Sequence, residues 1–559
     1  MKGTYIFLFY FFNICFLQAQ IPEWIWAKSA GSNWSDISND IITDTNGDIY
    51  ISGYAEDTII FDSITLYSSG NFIVKYASTG QILWVKKTSY VQDPYFKPVT
   101  VTINPDNNLF IHGEYYGDTT VFGNDTLLGK GICIFKYDME GNLIWTKSAG
   151  SANYVNGYGS VSISKITCDN TGNLYIIGNF SGISDPTTLM IGDSVLTSTI
   201  NGNDIFFAKF NTSGNALWAK SINGYGGYTD DNGSGITTDI NGNVYITGYY
   251  SSMYISFDST SFINSGDYDI FITKYDSSGN MLWSRVAFGI NGDYSNNIVT
   301  DNFGNVYITG YFWSPYIVFC SDTLTNTDTS ICDNFIAKYS SSGNLLLAKS
   351  TTGIGRAIFY DIVTDAIGNI YITGFFSSPV EFDNITLTSS SGIFIAKYNS
   401  FGNVLWVKTA DGGTSSNYST GITNNQNGDI YISGNFYNSE ASVIFGNDTL
   451  INHIYPDFVQ SYTDIFLAKL HDTGNNFETP YFSNSVKVYP NPTSEKIIIS
   501  GLTHFDQIQV ISSTGQLFTS TVLHGQERVS ITLPAGGLYF LRIISGKEVI
   551  TRKVLVIKE

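Results

Sequence analysis

One phrase is written seven times in this chain. It ends at Gly53 as DTNGDIYISG, at Gly113 as NPDNNLFIHG, at Gly178 as DNTGNLYIIG and at Gly248 as DINGNVYITG. It then ends at Gly310, Gly374 and Gly434 as DNFGNVYITG, DAIGNIYITG and NQNGDIYISG. The successive intervals are 60, 65, 70, 62, 64 and 60 residues. A period of this length marks units that bury their apolar faces against one another, so the repeat has to be parsed before any division into ordinary domains.

Each copy has a second half. DIFITKYDSSGNMLWSR (Asp269–Arg285) matches DIFFAKFNTSGNALWAK (Asp204–Lys220) and GIFIAKYNSFGNVLWVK (Gly392–Lys408). The unit reads strand, tight turn, strand, longer connection, strand, tight turn, strand. Seven such units predict an all-β, seven-bladed β-propeller. The seventh unit stops after DIFLAKLHDTG without its Leu-Trp-x-Lys strand, and that strand stands at the front of the chain around Trp26 and Lys28. The N-terminal strand is therefore expected to pair with Asp464–Leu470 and close the ring. Leu347 replaces the tryptophan in the fifth unit, whose outer strand is expected to be the least anchored. The phrases resemble the SBBP family of β-propeller repeats over roughly Trp24 to Asn475, a family that implies architecture and no single activity.

Residues 1–20 combine Lys2, an apolar run from Tyr5 to Leu17 and Ala19 in a small-residue exit, the pattern of a secretory signal peptide. No segment is long enough for a membrane-spanning helix. From Ser485 onward the balance of charge reverses, to +3 for residues 485–559 against −23 for the remainder. Residues 21–475 are thus assigned to the propeller, 476–484 to a linker and 485–559 to a small C-terminal β-sandwich. VYPNPTSEKIIISG, LPAGGLYFLRI and the terminal KVLVIKE resemble the type A sorting domain of the type IX secretion system of Gram-negative bacteria. Tyr489, Pro490, Asn491 and Pro492 are its marker. The resemblance implies export to the cell surface or medium, with the secretion machinery as partner. A formal charge of −20 without a basic patch excludes a nucleic-acid surface. The protein is expected to be a monomer.

The recurring Asp/Asn-x-x-Gly could open a calcium loop or only a turn. Phe303, Ala366 and Ile367 offer no side-chain oxygen, and Asp at the first and Gly at the fourth position are turn preferences. No metal or other cofactor is expected, the weak exception being Asp44, Asn46 and Asp48, which keep oxygen-bearing side chains at alternate positions. Cys320 and Cys332 bracket one loop and are expected to form a disulfide. No Ser-His or Cys-His constellation is visible, and no catalytic residue is assigned.

Function is expected on the long, variable connections opposite the short turns. Trp34, Asp36, Tyr225, Tyr228, Asp230, Asp231, Asp293 and Tyr294 are the candidate binding residues there, for a glycan or protein ligand. Asp40 and Asp361, at equivalent starts of two inner strands, join them as a possible carboxylate pair. An exported binding or adhesion module is the preferred reading. A polysaccharide-degrading enzyme and a structural surface protein are the alternatives.

Overall fold

The computed structural model describes residues 22–472 except 68, 89–99, 116–118, 123–124, 154–158, 183–184, 201, 227–229, 327, 389–390, 413–416, 426, 438–441 and 453–461. Beyond these it describes 487–489, 493, 496–500, 502, 507–512, 517–523, 526, 528–533, 536–545 and 548–556. The expected export segment, the linker, Tyr228 and Pro490 to Pro492 lie outside the described residues. The chain divides into two compact units, Met1–Thr473 and Gly474–Glu559. Among the described residues all regular structure is β.

The fifth repeat shows how the sequence builds a unit. Its strands Asp293–Thr300, Val306–Phe312, Asp333–Tyr339 and Leu345–Ser350 form one antiparallel meander in chain order. The first turn closes with Gly304 N–H donating to Asp301 C=O at 3.0 Å, and Gly304 has φ +77°, where a Cβ would be strained. The two middle strands are buried along nearly their whole length, which explains their continuous apolar runs. The outer strand is only partly covered.

The longer connection between the second and third strands is not a loop. It folds into a rim hairpin, Tyr316–Phe319 with Asp322–Thr325, which extends the outer strand of the preceding repeat through Ala287↔Phe319. The first repeat's hairpin joins Glu23–Gly31 in the same way, and the third repeat's joins Leu143–Asn153. Phrases such as VFCSDTLT and IIFDSITL mark these hairpins in the sequence.

Glu23–Gly31 also pairs antiparallel with Thr463–His471, with Trp26 opposite Lys469 and Ala30 opposite Ile465. The first strands of successive repeats touch in order, Asp36–Thr43, Val101–Ile103, Gly159–Cys168, Asn232–Thr238, Asp293–Thr300, Ala357–Thr364 and Tyr418–Asn424, and the last touches the first. In the C-terminal unit, a three-stranded and a four-stranded antiparallel sheet share one apolar core that includes Ile497, Ile499, Ile508, Val510, Leu541 and Ile543.

Candidate functional site

The recurring aspartate is a structural corner. Asp301 Oδ1 accepts the N–H groups of Phe303 and Asn305, both at 2.9 Å, and Oδ2 accepts the Tyr307 hydroxyl at 3.0 Å. Lys338 supplies the nearby positive charge at 3.9 Å. The same Asp–Tyr–Lys arrangement recurs at Asp169, Tyr175 and Lys209 and at Asp239, Tyr245 and Lys274. At Asp44, Asn46 and Asp48 the Lys75 ammonium lies 3.0 Å from Asp48 and 3.7 Å from Asp44. The cation at that corner belongs to the chain itself. Among the described residues no three His, Cys, Asp or Glu side chains are grouped to hold a metal.

Asp40 and Asp361 lie on the inner strands just after a β-bulge, not at the strand starts. Both are buried and committed to backbone. Asp40 accepts Ile41 N–H and, from the next repeat, Val101 N–H, each at 3.1 Å. Asp361 repeats the pattern with Ile362 at 2.9 Å and Ile422 at 2.8 Å, and also accepts the Asn297 side-chain amide. A bulge leaves its strand short of ladder bonds, and these carboxylates restore them while joining neighbouring repeats. Lys165, at the matching position of the third repeat, reaches Asp40 at 3.4 Å. Burial opposes its charge, yet Asp40 and Asp361 hold it above the ordinary lysine value. His112 accepts Thr100 N–H at 3.0 Å, and burial, aided by Lys165, lowers its pKa to about 3. This layer is a polar plug with its acceptors already used.

Three candidate aspartates are also interior. Asp36, Asp231 and Asp293 are each 0% exposed. Asp293 accepts Ser314 N–H at 3.4 Å and its hydroxyl at 3.1 Å, and Asp231 does the same with Ser252. Asp231 and Asp293 thus tie the start of an inner strand to the corner after the second strand. Placing them on an exposed face took their loop-like sequence context for solvent. Burial pushes the Asp36 and Asp293 carboxyls up to about 8.

What the loop face exposes is aromatic. Trp34 is 39% exposed and packs on Tyr462 at 5.3 Å, and Tyr225, 47% exposed, stacks on Tyr254 at 5.3 Å. Tyr294 sits between Tyr249 at 4.9 Å, Tyr311 at 5.0 Å and Tyr268 at 5.1 Å. These rings stand at the strand ends opposite the short turns, since Tyr294 pairs with Tyr311 one step inside Asp293↔Phe312. Tyr360, the bulged residue of the sixth repeat, lies 5.6 Å from Tyr418 and is 37% exposed. Arg356 carries its charge beside Tyr311 and Tyr360. Burial raises the phenol pKa values of Tyr249, Tyr268, Tyr294, Tyr311 and Tyr360, so all remain uncharged donors near neutrality. Asp230 is exposed nearby, within electrostatic reach of Tyr249 and Tyr268. Sequence reading found Tyr294 but missed Tyr249, Tyr311 and Tyr360, which are written inside strand phrases rather than loops.

The expected Cys320–Cys332 disulfide is absent, and Cys133, Cys168, Cys320 and Cys332 are free thiols. Cys320 occupies the rim-hairpin turn with φ +52°, towards the Tyr339 end of its neighbouring strand. Cys332 immediately precedes the opposite, Asp333 end. A seven-residue strand is about 20 Å long, while a disulfide needs Cα atoms within about 7 Å.

The secretion system C-terminal sorting domain family matches residues 487–558. This chain carries that sorting domain. The beta-propeller repeat family, SBBP, matches residues 218–249 and 283–316, each match running from an outer strand into the next repeat. The sorting domain indicates secretion or cell-surface localisation in a Gram-negative bacterium. Among the described residues no helix is long and apolar enough to cross a membrane.

An uncharacterized WD repeat-containing protein of Acanthamoeba polyphaga mimivirus is 28% identical over 463 residues, covering 68% of this chain and 33% of its own length. The chain thus spans about a third of that relative. Among solved structures, it is similar to a protein of unknown function from Dyadobacter fermentans, with 9% identity, 80% and 99% of the two chains covered and a TM-score of 0.38. The type IX secretion surface component PorZ of Porphyromonas gingivalis aligns with 13% identity, 93% and 81% coverage and a TM-score of 0.25. The polysaccharide lyase Uly1 aligns with 9% identity, 80% and 99% coverage and a TM-score of 0.41.

Proposed function

We propose that the repeats form a seven-bladed propeller closed by the N-terminal strand, and that this propeller is a saccharide-binding module delivered to the cell surface or medium by its sorting domain. The cyclic order of contacts among the seven first strands, and the pairing of Glu23–Gly31 with Thr463–His471, support the ring. The cleavable export segment is residues 1–20, the propeller 21–475, the linker 476–484 and the sorting domain 485–559, and the protein works as a monomer.

The cluster of Tyr249, Tyr268, Tyr294 and Tyr311 carries the functional reading. Aromatic faces pack on the apolar faces of sugar rings, while uncharged phenols and a carboxylate such as Asp230 meet the hydroxyls. The enzymatic alternative relied on Asp40 and Asp361, whose oxygens are taken by backbone N–H groups. The test is an oligosaccharide array probed with the purified chain, run beside a hydrolase and lyase screen. Saturable binding without turnover, weakened by Tyr294→Ala, supports the module. Turnover abolished by Asp361→Asn would overturn it.

A further inference from the structure

The seven repeats contain two arginines, Arg285 and Arg356, in a region that carries −23. Arg285 is used internally, its Nε donating to Gly343 C=O at 2.9 Å and its Nη1 to Ser284 C=O at 2.7 Å. Arg356 is different. Its residue is exposed, and among the described residues no ion pair joins it to a carboxylate. Lysines of the same repeats do find partners, as Lys220 does with Asp258 at 3.2 Å and Lys349 with Asp383 at 3.0 Å. Among the described residues no carboxylate pairs with the Arg356 guanidinium, whose side-chain contact is the Cys332 thiol. Its backbone is fixed, with Arg356 N–H donating to Ser377 Oγ at 2.9 Å one residue before the strand Ala357–Thr364 begins. The side chain points its charge among Tyr311, Tyr360 and the Cys332 thiol.

Resting on the saccharide-binding reading above, we infer that the ligand is an acidic saccharide and that Arg356 anchors its anionic group, a carboxylate or a sulfate ester. The planar fork of a guanidinium matches either anion with two parallel hydrogen bonds. A neutral sugar would leave that fork unused. Tyr360, which shares the charge and stacks towards Tyr418 at 5.6 Å, supplies the ring against which the same residue of the saccharide lies.

Affinities of the whole purified chain are measured by calorimetry for neutral, uronate-containing and sulfated oligosaccharides, with Arg356→Gln and Arg356→Lys beside the parent. Melting curves verify folding, which an exposed side chain should leave unchanged. The expected result is binding of uronate or sulfated oligosaccharides, about tenfold or more weaker in R356Q, partly kept in R356K and with any neutral binding unaltered. The series that shows the loss identifies the anion. Neutral oligosaccharides bound as tightly as acidic ones, or R356Q binding acidic ones like the parent, would overturn this inference and leave the module reading standing. A parent chain that binds no oligosaccharide of any series would instead overturn the module reading itself.

Discussion

Lys165 Nζ lies 3.4 Å from Asp40 Oδ2, although the two residues come from the third and first repeats. The contact joins two repeats that are not neighbours in sequence and offsets charge in a layer where Asp361 is also buried. Removing one partner from such a layer leaves an uncompensated interior charge, at a cost of about 3–5 kcal/mol. Lys165→Met should lower the urea midpoint accordingly at pH 8, and less at pH 5, where Asp361, raised by burial to about 6, is protonated. Adding Asp361→Asn to that variant should recover part of the loss. A midpoint unchanged by Lys165→Met would mean that the plug is not held by charge.

The buried aspartates set the pH response. Burial raises Asp36 and Asp293 to about 8, Asp269 to about 7, and Asp204 and Asp231 to about 6. Between the ordinary carboxyl value and these raised ones, the folded state holds more protons than the unfolded chain, so stability falls as pH rises. Each pH unit of displacement is worth about 1.4 kcal/mol per group at most. Hydrogen bonds hold Asp169 below its ordinary value despite its burial, so its contribution is lost in strong acid instead. Melting temperature should peak near pH 4–5 and fall towards pH 8. Asp36→Asn and Asp293→Asn together should flatten that fall. A rising profile over the same range would contradict the assignment.

How much of this was legible in the sequence depends on the kind of residue. Glycine turns and strand phrases gave the repeat, and a missing strand at one end with an orphan strand at the other gave the pairing of the N-terminal strand with Asp464–Leu470, because backbone conformation repeats with the sequence. Rim hairpins went unread because only their FxxDTL-like phrase repeats, within a connection of variable length. Aspartate roles were harder still. Asp36 and Asp230 look alike in a polar stretch, yet one is interior and the other exposed. Glycines make room for such interior carboxylates, as at Gly224, where a Cβ would fall 2.0 Å from Asp231 Oδ2, and close packing of that kind has no sequence period.

The outer-strand tryptophans predict a gain as well as losses. Trp283 Nε1 donates to Ser341 C=O of the following repeat at 3.1 Å, and Trp218 to Ser277 C=O at 3.2 Å. In the fifth repeat Leu347 lies under Gly402, and the equivalent Ser400 carbonyl receives only the Lys338 ammonium among these donors. Leu347→Trp should restore that hydrogen bond and stabilise by about 1 kcal/mol. Trp283→Leu should cost about 1–3 kcal/mol. Chemical denaturation of both variants provides the check.

Closure by the N-terminal strand can be weighed through one side chain. The ring of Trp26 lies beneath Gly80, 3.2 Å from where a Cβ would stand. Trp26→Ala should destabilise by about 3 kcal/mol or more, and deletion of residues 23–29 by more still. Limited proteolysis should then cut first within Thr463–His471, which loses its partner strand.

Four thiols should react when the chain from residue 22 onward is unfolded without reductant. In the native state Cys320 should react first, since it alone is exposed, and fully buried Cys133 last. Two reactive thiols in the unfolded, unreduced chain would restore the loop disulfide.

The pairing of Glu23–Gly31 with Thr463–His471 places the chain's entry and exit between the third and fourth strands of a single sheet. The other repeats bridge that same gap with a short turn, such as the one closed by Gly279. Any of those turns is therefore an equivalent place to begin and end the polypeptide. Circular permutants opened there, with Glu23–Gly31 and Thr463–His471 joined by a comparable turn, should form the same strand pairings from a rotated gene.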